Sequence, residues 1–436
     1  MKRKSLLFLI LVASLCSCDA NSSEDKKGVW KSFVATSDEV KNTSNIAITP
    51  FNTVMQLNYF LEDSNKENND VLFNNVTSLY NSEVARLHKI FDRHNSYYDV
   101  DGKTLITNIK TINESYGTDK PVKCSDELYD LLKLSVSLYE LTEGQFNIFT
   151  GTLTNYWDSI FNEVYNYTDF QTLDPFFVLD AKTKLESLVD SVPNSLEEVN
   201  AQLTFDDENK TVIFNKCEFN NDIKPLISVG GIAKGYATDI IKEKLIEHGY
   251  LNAYLISGGS SLSSVDNPIY TKENGGQKLS VVNPEKSSFF EKVPAFSFLI
   301  KEKFNFSTSG NYTEGKWYRF LDDNDNMIYR HHIINPFTGY SESYHRSVSI
   351  YTNSFSNAYV DAFTTAFMNL SIDDGLSLRN KILSQYPDSN IELLYLTQNG
   401  YEDKNNGIVA QYVVHATSSF DNTLSLNEGV DIVYES

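Results

Sequence analysis

Ile227-Ser228-Val229-Gly230-Gly231-Ile232-Ala233-Lys234-Gly235-Tyr236-Ala237-Thr238-Asp239 decides how this chain is read. The stretch carries three glycines and one lysine. It runs directly into Ile240-Ile241-Lys242-Glu243-Lys244-Leu245-Ile246, whose apolar residues recur at helical intervals. Glycine lets a backbone turn tightly and approach a ligand closely. Free N–H groups at a helix start favour an anion, and a neighbouring lysine adds a point charge. The pattern predicts a strand, a glycine turn and a helix that together hold a phosphate. The same composition also suits a plain connection between two elements. The GxxxxGKS/T spacing of a P-loop is absent.

Working outward, Ala253–Ser257 reads as an apolar strand ending in Gly258-Gly259-Ser260, so strand, helix and strand predict a βαβ-like unit. Upstream, Leu203–Asp222 reads as a hairpin with Asp206–Asn209 at its turn. Apolar spacing predicts helices over Val71–Phe91, Leu128–Tyr139 and Ala358–Leu370, the second preceded by the cap Ser125-Asp126-Glu127. Asp92–Asp99 reads as a polar, aromatic loop, and Glu163–Asn200 as a variable insertion or surface helices. Strands are expected at 49–59, 279–282, 295–300, 304–308, 347–351 and 391–396, with strand-like pieces over 407–434. The fold class is α/β.

The chain has 436 residues, 41% hydrophobic and 13% aromatic, enough to bury a substantial core. A net charge of −21 argues against a nucleic-acid binder, which would present a basic patch. An anionic ligand therefore needs a local cation, such as Lys234 or a bound metal. Met1-Lys2-Arg3-Lys4 and the apolar Leu6–Ala13 form a targeting segment too short to span a bilayer. Leu15-Cys16-Ser17-Cys18 follows, and resembles a bacterial lipoprotein signal; an ordinary secretory signal is the alternative. On the first reading residues 1–17 are removed and Cys18 carries lipid at the extracytoplasmic face of the cell membrane. Residues 18–45 are then a polar tether and 46–436 a single domain. Cys124 and Cys217 remain, either as a pair or as free thiols.

Seven motifs in order resemble one family, the FAD:protein FMN transferases or ApbE-like proteins. They are Ser96-Tyr97-Tyr98, Gly144-Gln145-Phe146-Asn147, Gly230–Tyr236, Ser257-Gly258-Gly259, Thr308–Tyr312, His332–Gly339 and Asp361–Ala366. The resemblance runs from about residue 50 to about residue 375, and the remainder carries no motif. It implies an α/β body related to the T-fold. It implies cleavage of FAD, release of AMP, and attachment of FMN through a phosphoester to a threonine or serine of an acceptor flavoprotein. Magnesium (Mg2+) is the implied cofactor and FAD the substrate.

Asp361 and Thr365 are four residues apart and share a helix face. A carboxylate and a hydroxyl one turn apart suit magnesium, which prefers oxygen ligands, although a helix start with a satisfied aspartate looks the same. The resemblance makes Asp361 and Thr365 metal ligands, adds a backbone carbonyl at Gly231, and leaves Thr364 as a further candidate. It places Lys234 beside the FAD phosphates. A lysine at a helix start opposes the helix dipole unless an anion is present. His332 matches the histidine before the family's proline turn. It either takes the proton from the acceptor hydroxyl or orients a phosphate, and a turn histidine is the plainer role. Tyr98, Gln145, Phe146 and Ile333 fall at positions that contact FAD.

The sequence departs from the family pattern at four places. Phe51-Asn52-Thr53 stands where Met-Gly-Thr is usual, which makes Phe51 the FAD contact there. Asn147, Ser228 and Asn335 are neutral at positions that are usually acidic. Losing carboxylates near a diphosphate lowers repulsion, while Ser228 is shorter and gives up reach. Two other readings fit the same residues: an FAD pyrophosphatase, with water as acceptor, and a non-catalytic flavin-binding lipoprotein.

Overall fold

A computed structural model describes residues 28–164, 174–266, 276–284, 292–311, 317–321, 327–404, 407–420 and 423–435. The signal, Cys18 and Tyr312 lie outside these residues. The strands of the first half are β1 (Gly28–Val34), β2 (Met55–Glu62), β3 (Val122–Lys123), β4 (Leu203–Asp206), β5 (Thr211–Phe214), β6 (Ala253–Ser257) and β7 (Ser261–Ser264). Those of the second half are β8 (Gln277–Val282), β9 (Pro294–Ile300), β10 (Asn305–Gly310), β11 (Trp317–Leu321), β12 (Met327–His331), β13 (Ser347–Thr352), β14 (Glu392–Lys404), β15 (Gly407–Thr417), β16 (Ser425–Leu426) and β17 (Val430–Glu435). Helices are α1 (Asn69–Phe91), α2 (Ile109–Glu114), α3 (Asp126–Leu141), α4 (Gly151–Val164), α5 (Leu179–Val189), α6 (Leu196–Gln202), α7 (Ala233–Glu247), α8 (Asn357–Phe367) and α9 (Ile372–Gln385).

The main sheet runs β1-β2-β6-β7-β10-β13-β14-β15-β17. Neighbours pair antiparallel except β15 with β17. Side chains alternate across a strand, so one strand feeds two cores. Leu393 and Tyr395 of β14 join Val84, Leu132, Ile241 and Phe363 of the helices. Leu394 and Leu396 face the other way and pack with Val281, Phe296 and Phe298 of the small sheet β16-β9-β8. The α/β class is as expected. Residues past 376, which carry no motif, close the main sheet.

Three expectations change. The tether does not extend over 28–34, because Gly28–Val34 pairs with β2 and Trp30 packs on Phe60 and Tyr254. The βαβ unit does not form. Ile227 is held by the side chain of Asn113, which bonds both its N–H (2.8 Å) and its carbonyl (3.0 Å), and Ser228 donates its N–H to Ile148. With those groups engaged, Ile227–Val229 joins no ladder among the described residues, and β6 pairs antiparallel with β2 and β7. The insertion is not merely surface: Leu185 and Val192 bury against Trp157 and Ile334. The cap at Ser125 falls as read, and the hairpin expected over Leu203–Asp222 forms but ends at Phe214, with a helical turn at Glu218–Asn220 in place of its last residues.

Helices α7 and α8 cross at Gly235. A Cβ there would lie 2.2 Å from the Asn357 carbonyl oxygen, so only glycine permits this approach. Gly235→Ala is expected to cost about 1–3 kcal/mol or more through overpacking. Chemical denaturation measures this, and an unchanged midpoint would show that the crossing has slack.

Candidate functional site

The crossing brings the glycine turn over one carboxylate. Asp361 on α8 is buried, and every oxygen has a donor. Ser261 and Ser307 donate to Oδ1 at 2.6 and 2.7 Å, and the Gly235 N–H donates to Oδ2 at 2.8 Å. Lys234 Nζ stands 4.0 Å from the same Oδ2 and 3.4 Å from the Gly230 carbonyl, to which it donates. Its stem lies against Gly258, where a Cβ would sit 3.2 Å from Lys234 Cδ. Gly258 has φ of +71°, so a side chain is disfavoured by backbone as well as by space.

Ser261 and Ser307 face each other across β7 and β10, and the next rung is Ser263 opposite Asn305. Lys242, buried on α7, donates to both Ser263 (2.7 Å) and Asn305 (2.8 Å). Burial pushes its ammonium down to about 8, with Asp239 opposing the shift. Asp239 in turn receives the first N–H groups of α8, from Asn357 and Ala358. A polar seam thus runs between the two helices and the sheet, with Asp361 at its open end.

Thr365 follows Asp361 by one turn and donates to the Asp361 carbonyl at 3.0 Å, which leaves its oxygen lone pairs available. The Gly231 backbone packs on it: a Cβ at Gly231 would sit 2.9 Å from Thr365 Oγ1 and 3.3 Å from the Phe146 ring. Thr364 is turned to β10, where its hydroxyl accepts from Ser309 at 3.0 Å. Asn369 donates to the Gln145 carbonyl at 3.1 Å. The side-chain oxygen of Gln145 is buried with no hydrogen-bond partner among the described residues. Phe337 is 41% exposed and faces Gly144, where a Cβ would meet its ring at 2.7 Å. The motifs at 144–147, 230–236, 257–259, 332–339 and 361–366 therefore meet in one place.

His331 and His332 divide their roles. His331 is buried, its Nδ1 accepts from the Ile333 N–H (3.3 Å), and its Nε2 donates to the Glu342 carbonyl (2.9 Å). Burial pushes it down to about 4, so it is neutral and structural. His332 is half-buried, and Ile333 is buried in the core that holds Phe146. Tyr98 is exposed on a loop closed by its bridge to Leu105, and no described contact joins it to the Lys234–Asp361 cluster. Phe51 occupies a turn before β2 and packs edge-on against His88. Cys124 and Cys217 are free thiols. Among the described residues no three His, Cys, Asp or Glu side chains gather as a metal cluster.

The donors Ser261 and Ser307 escaped sequence reading, although they border the 257–259 and 308–312 motifs. Their signal is the alternation Ser261/Ser263 and Asn305/Ser307, polar on one strand face. The neutral substitutions also gain an explanation. Asn335 accepts from the Phe337 N–H and donates Nδ2 to Glu342 Oε1 at 2.8 Å. Asn147 accepts from the Phe149 N–H and donates Nδ2 to the Pro193 carbonyl at 2.9 Å. An aspartate keeps the first bond of each pair and loses the second.

The fold and site define an α/β protein in which a lysine at a glycine-rich helix start stands over a buried carboxylate. Comparison gives the particular family. The model of the ApbE family matches residues 51–387, well over half of the sequence, and the chain belongs to the ApbE family. The flavin transferase ApbE from Vibrio cholerae is similar in fold, with a TM-score of 0.55 at 16% identity over 91% of this chain and 100% of that one. The ApbE protein of Thermotoga maritima gives 0.54 at 20% identity, over 85% and 94%. The apo flavinyl transferase ApbE of Pseudomonas stutzeri gives 0.53 at 15% identity, over 91% and 97%. No curated protein sequence matches the chain.

Asn335→Asp would set a second carboxylate against Glu342, and Asn147→Asp would face the Pro193 carbonyl. Each is expected to lose about 1–3 kcal/mol of stability by breaking a buried hydrogen bond. Urea titration reads the loss, and a stability gain in either variant would contradict the pairing described.

Proposed function

We infer that this protein transfers FMN from FAD to a threonine or serine hydroxyl of an extracytoplasmic flavoprotein and releases AMP. Membership of the ApbE family and the likeness to flavin transferase folds support the class of reaction. The observation that carries the reading is the 4.0 Å approach of Lys234 Nζ to Asp361 Oδ2, with Gly231 packed on Thr365 and Phe146. A diphosphate brought to the start of α7 would meet the Lys234 ammonium, a local positive charge that offsets the repulsion of an acidic protein. Phe51, which is partly exposed, offers apolar surface for a ring system, with Phe146 and Ile333 in the core, and the unsatisfied Gln145 oxygen offers an acceptor to the ligand.

The residues present fit magnesium. One carboxylate, one hydroxyl with free lone pairs and a nearby backbone turn make an incomplete oxygen set, of the kind completed by substrate phosphates. Asp361, Thr365 and the Gly231 carbonyl would hold the ion, which when bound neutralises charge on phosphoryl oxygens. The acceptor oxygen attacks the phosphorus on the FMN side. The bond to the AMP phosphate breaks, and AMP leaves with its oxygen. His332 takes the proton that the acceptor hydroxyl gives up. Phosphoryl transfer needs little more than positioning and cations, which is what the cluster supplies.

Incubation with FAD, magnesium and a threonine-bearing acceptor domain is expected to yield covalent FMN and equimolar AMP, and chelation by EDTA to abolish both. Thr365→Ala is expected to lower turnover by at least about tenfold while leaving FAD affinity nearly unchanged. AMP release without acceptor would instead mark a hydrolase, and FAD binding without turnover a flavin carrier. Equal loss of turnover and affinity in Thr365→Ala would remove the metal assignment. The reading also puts the chain on the outer face of the cell membrane, anchored through Cys18. Palmitate labelling in a bacterial host tests the anchor, and labelling that persists in Cys18→Ala would refute it.

A further inference from the structure

Phe51 (φ 51°, ψ 18°) and Asn52 (φ 54°) are consecutive residues in the left-handed region. Asparagine tolerates that backbone, but phenylalanine adopts it only where its surroundings hold it. The hold is visible. The Phe51 N–H donates to His88 Nδ1 at 2.9 Å. Because Nδ1 accepts, the ring proton sits on Nε2, which faces the Tyr97 hydroxyl at 3.0 Å. Tyr97 passes its own proton donor to Asp92 Oδ2 at 2.6 Å. Asp92 is steadied by the His94 N–H (2.7 Å) and by Asn95 Nδ2 (2.9 Å). His88, Asp92 and Tyr97 are all buried. Burial lowers the imidazole, against the pull of Asp92, and so favours the neutral form that the bond to Phe51 requires.

The turn held in this way borders the site. Val54, two residues on from Asn52, accepts the Gly258 N–H at 2.8 Å, and Gly258 carries the stem of Lys234. We propose that Asp92, Tyr97 and His88 form a positioning relay that fixes the Phe51–Asn52 turn as one wall of the FAD site. The relay rests on the flavin-transferase reading and adds to it three residues that touch neither phosphate nor metal. They act through Phe51, so their loss changes how FAD is held and leaves the chemical step alone.

The test is titration of the full chain with FAD, read by flavin fluorescence without acceptor, followed by turnover at saturating FAD. His88→Leu is expected to weaken FAD binding about tenfold and Tyr97→Phe about threefold, with saturated turnover within about twofold of the unmodified protein. His88→Asn, whose amide oxygen can occupy the place of Nδ1, is expected to keep most of the affinity. Asn52→Gly in the His88→Leu background is expected to recover part of it, since glycine enters the left-handed region unaided. Unchanged affinity in His88→Leu, or a loss confined to turnover, overturns the relay and leaves the functional reading standing. Should His88→Leu not fold, Tyr97→Phe decides, and unchanged affinity there overturns it. An unmodified chain that does not bind FAD overturns the functional reading and the relay together.

Discussion

The structure depends on the hydrogen bond from the Gly235 N–H to the Asp361 carboxylate. It is a contact between two helices at the point where they are too close for any side chain but hydrogen. It joins a segment named for its glycines to a segment more than a hundred residues later. Once it forms, Lys234 must lie above the carboxylate, and Gly231 must lie against the next turn of α8. The serines of β7 and β10 take up the other carboxylate oxygen, so the sheet, too, is tied to this point. A side chain with this many hydrogen bonds is held by geometry that folding has already set.

Beneath it the charges alternate in depth. Asp361 lies at the open end of the seam, Lys242 one rung further in, and Asp239 at the head of α8. A lysine buried without a carboxylate in direct contact is costly, and hydrogen bonds to Ser263 and Asn305 offset only part of that cost. The placement makes physical sense as a balance for the anion above. It also sets positive charge inside a chain whose net charge is −21.

The residues that the structure gathers were picked out through the family resemblance. Lys234 within a glycine run suits a plain connection equally well, and Asp361 and Thr365 one helical turn apart look like any helix start, so short-range spacing narrowed the choice without deciding it. The α/β class was legible from the same periodicities. What stayed hidden depends on contacts across long separations. Nothing local shows that Asn113 will take the backbone groups of Ile227 and prevent a ladder there. Nothing local separates Ser261 and Ser307 from ordinary strand serines until β7 and β10 are seen side by side. Trp30 reads as part of a tether until Phe60 and Tyr254 are beside it. The amides at 147 and 335 look like lost acids in sequence and like two-ended hydrogen-bonding groups in the fold.

The last strands carry a consequence of their own. β16 zips onto β9 in the small sheet, and a few residues later β17 lies parallel to β15 in the large one. The carboxyl end therefore works as a stitch through both layers of the sandwich. Trimming a dozen residues there would unlace two sheets at once, and the loosening would travel through β15 and β14 to β13 and β10, whose serine steadies the carboxylate. A stretch with no chemistry of its own is in this way the hem that keeps a distant cleft in shape.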